Sequence, residues 1–334
     1  MRVLPSGAAR MEVRGRRMHP DKNVFMFSGQ GSQYHQMGKP LFESDPQFRR
    51  HMLRLAALAK TLSGLDVLET THNGAKGDVF DRTLATHPAI FMTEYALALR
   101  LIESGIVPDA VLGSSLGSFA AATVAGCLSE EDAMAAVVAQ ARAFESTCEP
   151  GGMTAVLAEP EIFDREPFLH GASELAAINF DKHFGVSATR ADLDAIDAEL
   201  KRRGITHQRL AVSFAFHSRW VDSARERFLD SIAGLSLRPA SLPILCCDRG
   251  GPVGPALPPD YFWHVVRHPI RFQDTVRHLE SKGAWRYIDV GPSGTMATFA
   301  KYALPDDTSS STHPILTPYG QDARNLSTLS ALAA

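Results

Sequence analysis

The residues best placed to do chemistry lie in one short run, Val111-Leu112-Gly113-Ser114-Ser115-Leu116-Gly117. An apolar stretch ends there in Gly-x-Ser-x-Gly, and the small residues 118–126 that follow read as a helix. Strand, sharp turn and helix with a serine at the bend make a nucleophile elbow. The flanking glycines leave room for the turn. The helix N-terminus offers backbone N–H groups and a positive dipole end to an oxyanion formed beside it. Ser115 sits centrally between Gly113 and Gly117, and Ser114 is its rival as nucleophile. A serine is weak at its free pKa and needs an adjacent base.

Elements that could position such a serine are readable along the chain. Residues 23–28 read as a short buried strand feeding a Gly-rich loop, and 46–62 as an amphipathic helix. A long apolar helix is expected over 88–104, and another over 130–145 with Ser129 as its N-cap. From Gly151 the texture changes. Strands at 153–157, 174–178 and 183–188, a helix at 191–203 and a strand at 206–212 suggest a ferredoxin-like insert. Helix 220–233, strand 244–247, helices 261–266 and 271–281 and a last strand at 285–290 return the chain to the larger unit. The expected fold class is α/β. An α/β-hydrolase-like large domain (23–150 and 213–320) would carry a ferredoxin-like small subdomain (151–212). Residues after about 305 are expected to wrap the surface, with 321–334 a C-terminal tail.

Bulk properties narrow the function. The 334 residues suffice for a large domain with a smaller insert, and 45% hydrophobic with 21% charged residues is ordinary for a soluble enzyme. A net charge of −3 gives no sign of a nucleic-acid partner. No apolar run approaches the roughly 20 residues that span a bilayer. Cys127, Cys148, Cys246 and Cys247 form no C-x-x-C pair, so a reducing cytoplasm is expected. The thirteen histidines show no ligand spacing, so no metal is expected. Residues 1–22 carry Arg2, Arg10, Arg14, Arg16 and Arg17 with little periodicity. They are expected to be a disordered extension or to precede a native start at Met11 or Met18, with a transit peptide as the alternative.

Further segments, in order along the chain, carry a family resemblance. They are Phe25-Met26-Phe27-Ser28-Gly29-Gln30-Gly31-Ser32-Gln33, Ala85-Thr86-His87-Pro88-Ala89, Val212-Ser213-Phe214-Ala215-Phe216-His217-Ser218 and Asp289-Val290-Gly291-Pro292-Ser293-Gly294. With the elbow they resemble the malonyl-CoA:acyl-carrier-protein transacylase family, from about Asn23 to about Leu304. The chain looks most like the discrete, trans-acting acyltransferases of polyketide assembly lines. The resemblance implies Ser115 as nucleophile and His217 as its base. It also implies Gln30 and Leu116 as the N–H donors of the oxyanion hole, and a backbone carbonyl, assigned to Val265, that orients the base. Gly29 and Gly31 would let the first loop approach a ligand closely.

Two departures narrow this reading. The family usually reads Gly-His-Ser-x-Gly, and Ser114 stands where that His would be. Members that take dicarboxylic acyl groups carry an Arg in the helix after the elbow, and a gapless count places Gln140 there. A neutral amide cannot replace a guanidinium's bidentate grip on a carboxylate. Arg142 is two residues further, about 200° around the helix, and is expected to face away. Gln140, Phe214, Phe216, Ser114 and Asn179 are the expected substrate-binding residues, with Phe214 and Phe216 bounding an apolar pocket. The implied activity is that of an acyl hydrolase, which removes short monocarboxyl groups from acyl carrier proteins. The alternatives are a transferase that loads a monocarboxyl unit, a general carboxylesterase and a non-enzymatic scaffold. No cofactor is expected beyond the phosphopantetheine of a carrier protein or coenzyme A that carries the substrate. A monomer is expected, with an acyl carrier protein as partner.

Overall fold

The computed structural model describes residues 22–333, so the Arg-rich stretch lies outside the described residues except for Lys22. The strands in chain order are β1 (Asn23–Phe27), β2 (Ala110–Gly113), β3 (Gly151–Val156), β4 (Glu174–Phe180), β5 (His183–Thr189), β6 (His207–Arg209), β7 (Ile244–Cys246), β8 (Gly251–Pro252), β9 (Ile270–Arg271), β10 (Arg286–Asp289) and β11 (Ser311–Pro314). They form two sheets. The large one runs β11-β10-β1-β2-β7-β8 and is parallel except for β8. The small one runs β6-β3-β5-β4-β9.

A parallel sheet is covered on both faces, so its central strands read as near-continuous apolar runs. In β1 every residue is buried. Phe25 and Phe27 join the core on one face of the sheet, and Val24 and Met26 join the core on the other. This double burial makes β1 and β2 rigid rails. Their carboxyl ends deliver the 28–33 loop and the elbow side by side, as the register Phe27↔Gly113 shows.

The small sheet has the expected ferredoxin-like order. Within it β3, β4, β5 and β6 are antiparallel neighbours, and the helix Arg190–Arg202 packs its Leu193, Ile196 and Leu200 face against them. A fifth strand comes from outside the insert, since β9 pairs in parallel with β4 through Ala177↔Ile270. The two sheets are therefore tied together by chain beyond residue 212.

Several expected elements are corrected. The helix expected from Pro88 begins at Thr83 and runs to Glu103, with Pro88 inside it. Glu145, from the helix Glu130–Thr147, accepts from Leu84 N at 2.7 Å and from Thr83 Oγ1 at 2.8 Å. A distant carboxylate thus caps a turn whose own sequence gives no cap. Proline there removes one backbone bond, and burial of most of the helix offsets that loss. The helix expected over 220–233 opens as a 3-10 segment, Arg219–Ala224, before turning α-helical. The strand at 285–290 is not the last. β11 follows at the sheet edge, and the segment read as a tail holds the helix Asp322–Ala333, with Leu326 and Leu329 buried.

The elbow depends on close packing. A Cβ added to Gly117 would lie 2.1 Å from the Phe27 carbonyl oxygen, backbone that cannot yield. Gly117→Ala is expected to destabilise the fold by about 3 kcal/mol through overpacking. A thermal melt should show the midpoint several degrees lower. An unchanged midpoint would mean that the elbow and β1 are not in this contact.

Candidate active site

Ser115 lies at the apex between β2 and the helix Gly117–Val124. Its φ of 53° is in the left-handed region, which a residue with a side chain rarely adopts. The strain projects the hydroxyl off the end of the sheet. Ser114 is held differently. Its N–H donates to Phe27 O at 3.0 Å, and its carbonyl accepts from Gly117 N at 3.0 Å. Both serines line the same cleft of about 330 Å³, but Ser115 occupies the strained apex.

The 28–33 loop forms the opposite lip. A Cβ on Gly29 would come within 2.9 Å of Ser115 Cβ, so only glycine lets the loop pass this close. Gln33 pins the loop. Its Nε2 donates to the carbonyls of Phe80 and Ala211, and its Oε1 accepts from Gly31 N. Gln30 lines the cleft and donates through Nε2 to Thr86 Oγ1 at 2.8 Å. Among the described residues the backbone N–H groups of Gln30 and Leu116 have no protein acceptor. They are free to serve a ligand's oxygen.

His217 also has positive φ, 61°. Its backbone N–H donates to Val266 O at 2.9 Å. Its ring Nδ1 is 2.7 Å from His268 O. A carbonyl can only accept, so Nδ1 carries the proton and Nε2 keeps its lone pair. This corrects the assignment of the orienting carbonyl to Val265. Val265 is inside the helix Tyr261–Arg267, where carbonyls point along the axis. His268 precedes Pro269, and a residue before proline is pushed out of the helical region. It is extended, with φ −86° and ψ 156°, which turns its carbonyl sideways to the imidazole. Burial pushes His217 down to about 4, partly offset by the bond to His268. The ring is therefore neutral at pH 7. No hydrogen bond joins Ser115 Oγ to the imidazole among the described contacts, and such pairs commonly tighten only around substrate.

The remaining expected substrate contacts divide. Phe216 and Asn179 are in the cleft wall. Asn179 Nδ2 is 3.0 Å from His183 Nδ1. Phe214 and Gln140 are not in the wall. Phe214 packs behind it against Phe144 and Phe216. Gln140 is fully buried, with Nε2 donating to Phe262 O at 3.3 Å and Oε1 unpartnered. Arg142 turns away as expected and donates to Leu62 O at 2.7 Å in an exposed position.

Some residues of the site were not foreseen. Met153, Gln208 and Leu210 from the small subdomain and Met296 and Phe299 from the helix Thr295–Ala303 complete the wall. His87 is buried against Phe144 and Phe216, with both ring nitrogens unpartnered. His268 could have been found from the proline that follows it. Among the described residues, no Asp, Glu, Lys or Arg lines the cleft. Its two histidines, His183 and His217, are both shifted down by burial, toward the neutral form.

Comparison with known proteins agrees with this geometry. The family described as acyl transferase domain matches residues 24–334. The chain is 44% identical, over 91% of its length and 94% of the relative's, to "Polyketide biosynthesis acyltransferase homolog BaeD" of Bacillus velezensis. It is 41% identical, over 92% and 95%, to "Polyketide biosynthesis acyltransferase homolog PksD" of Bacillus subtilis. Among solved structures, the acyltransferase domain from the second module of the salinomycin polyketide synthase superposes with a TM-score of 0.81 at 32% identity, covering 93% of this chain and 73% of that one. No helix among the described residues is long and apolar enough to cross a membrane.

Proposed function

The chain belongs to the acyl transferase domain family, and from that premise we propose that it is an acyl hydrolase that clears short monocarboxyl groups from acyl carrier proteins of a polyketide assembly line. The observation that carries this reading is the cleft without a charged side chain. A malonyl-type group would bring its free carboxylate into such a cleft unpaired, at a cost of roughly 3–5 kcal/mol. An acetyl or butyryl group brings no charge. Gln140, in place of a guanidinium, and Arg142, bonded elsewhere, support the same conclusion. The polyketide context comes from the named relatives, and the carrier-protein partner from the resemblance to the transacylase family.

The chemistry follows from the residues. His217 Nε2 takes the proton of Ser115 Oγ as that oxygen adds to the thioester carbonyl. The N–H groups of Gln30 and Leu116 hold the oxyanion. The C–S bond then breaks, the phosphopantetheine thiolate takes the proton from His217, and an ester remains on Ser115. Water gives a proton to the same Nε2 and adds to the ester. The bond to Ser115 Oγ breaks, the serine recovers its proton, and the carboxylic acid leaves.

A two-acceptor competition tests this. Acetyl-, butyryl- and malonyl-carrier proteins are offered with a holo acceptor carrier, and acyl-enzyme, acylated acceptor and free acid are followed by intact mass. The expected result is free acid from acetyl and butyryl donors and little acylation by malonyl. If most acyl groups reach the acceptor carrier, the protein is a monocarboxyl acyltransferase. The word "acyltransferase" in its relatives' names favours that second reading.

Gln140→Arg tests the selectivity. Gln140 lies behind the cleft wall, so this variant requires the longer guanidinium to reach past the wall, where it lacks a partner with acetyl substrate and gains one with malonyl. The malonyl-to-acetyl ratio of acylation rates is expected to rise roughly tenfold or more. An unmoved ratio in a folded variant would separate position 140 from acyl selection.

A further inference from the structure

Glu94 is a fully buried carboxyl group in the middle of the helix Thr83–Glu103 that the chemistry above leaves unused. Its Oε1 lies 2.6 Å from Ser28 N and 2.7 Å from Ser28 Oγ. Ser28 Oγ is 2.9 Å from Ser32 Oγ, and Ser32 Oγ is 2.8 Å from Gly29 O. This relay ends on the carbonyl of the Gly29–Gln30 peptide. That peptide is trans, so its C=O and N–H point in opposite directions. Holding the Gly29 carbonyl on the Ser32 side holds the Gln30 N–H pointing away from Ser32.

Counting protons along the relay assigns the state of Glu94. The Gly29 carbonyl cannot donate, so Ser32 must give its only hydroxyl proton there. The Ser28–Ser32 contact then needs the hydroxyl proton of Ser28. The Glu94–Ser28 Oγ contact is left with one possible donor, the carboxyl group itself. A carboxylate would leave one of the three contacts without a proton. Surroundings agree. Burial raises Glu94 well above the usual carboxylate range against the opposing pull of its two Ser28 hydrogen bonds, Asp289 adds a smaller push upward, and Oε2 has no partner. A bare oxygen is far less costly on a neutral acid than on a buried ion.

We propose that Glu94, held protonated, is the positioning residue of the oxyanion hole, and that it acts through Ser28 and Ser32 to fix the Gly29–Gln30 peptide plane. This rests on the reading of Gln30 N–H as an oxyanion donor, but not on hydrolysis as the outcome. The elbow supplies the second donor from its own turn. Gln33 pins the far end of this Gly-rich loop, and the relay from Glu94 fixes the Gly29–Gln30 peptide at its near end.

The test uses the full chain and a fluorophosphonate. That probe requires the serine and the oxyanion hole but no cognate carrier or acyl group. Labelling of Ser115 is followed by intact mass, and the maximal labelling rate is separated from probe affinity. Glu94→Ala and Ser32→Ala are each expected to lower the maximal rate roughly 10²-fold, the worth of one oxyanion donor, with little change in affinity. Both Ser28 contacts fall on Glu94 Oε1, so Glu94→Gln can keep one of them, an oxygen accepting from Ser28 N or an N–H donating to Ser28 Oγ, and is expected to label at a rate between those of the parent and Ser32→Ala. Because both act on one peptide plane, Glu94→Ala/Ser32→Ala should be no slower than the slower single variant. Parental labelling in folded Glu94→Ala overturns the proposal. If that variant does not fold, parental labelling in Ser32→Ala does the same. Glu94→Gln as slow as Ser32→Ala overturns it too. Absence of free acid from acetyl-carrier protein, with these labelling rates as expected, would reject the hydrolase reading alone.

Discussion

Ser115→Ala is expected to form no acyl-enzyme with any thioester, and turnover should fall by roughly 10³-fold or more, because removing a nucleophile disables the whole catalytic unit. Ser114→Ala should keep most of its activity. The two serines are adjacent and both line the cleft, so composition does not separate them. Backbone geometry does. Ser115 has the left-handed φ of the elbow apex, whereas Ser114 continues β2 with its N–H bonded to Phe27 O. Incubation of each variant with acetyl-carrier protein, read by intact mass, decides the matter. Full acylation of Ser115→Ala would transfer the role to Ser114.

His217→Ala should slow acylation and release together, by roughly 10²–10⁴-fold, the usual worth of a general base. The pH dependence carries a second expectation. The base works when neutral. Burial holds His217 at about 4, so the neutral form is already present well below its ordinary range near 6.5. The acylation rate should stay level as pH falls from about 8 to about 5 and drop only as it passes through about 4. Rapid-quench measurements across this range test it. An acid limb centred near 6.5 would mean that the imidazole is solvated in the working enzyme. A fall in acylation alone, with release unaffected, would assign the water-activating step to another group.

These expectations differ in how much of their basis was visible in the chain. The elbow was visible because its signals are local. Gly113, Ser115 and Gly117 sit within one turn, and the apolar run before them is what a doubly buried strand requires. The N-cap at Ser129 is another local signal, since its side chain bonds the third residue on, Asp132. The ferredoxin-like order of the insert was readable from the change of texture at Gly151 and the succession of short strand and helix segments after it.

Elements set by distant partners were not readable. The helix Thr83–Glu103 starts before Pro88 because Glu145 caps it from another helix. The C-terminal helix forms because Leu326 and Leu329 find a core to join. The carbonyl that orients His217 was placed three residues too early. Choosing among the carbonyls of 261–269 requires knowing where the imidazole sits, although Pro269 marked the residue whose carbonyl turns outward.

By itself, the sequence determined the α/β class, the elbow with its two candidate serines, the histidine segment and the glutamine at position 140, because each depends on residue type and short-range spacing. Tertiary structure alone decided that Ser115 rather than Ser114 takes the strained apex, that His268 O holds the His217 ring, that Phe214 and Gln140 stand outside the cleft wall, and that Glu94 lies at the root of the 28–33 loop. Those facts depend on which side chains meet across the core. Packing brings Glu94 to Ser28 from a helix far along the chain, and no local propensity records that meeting.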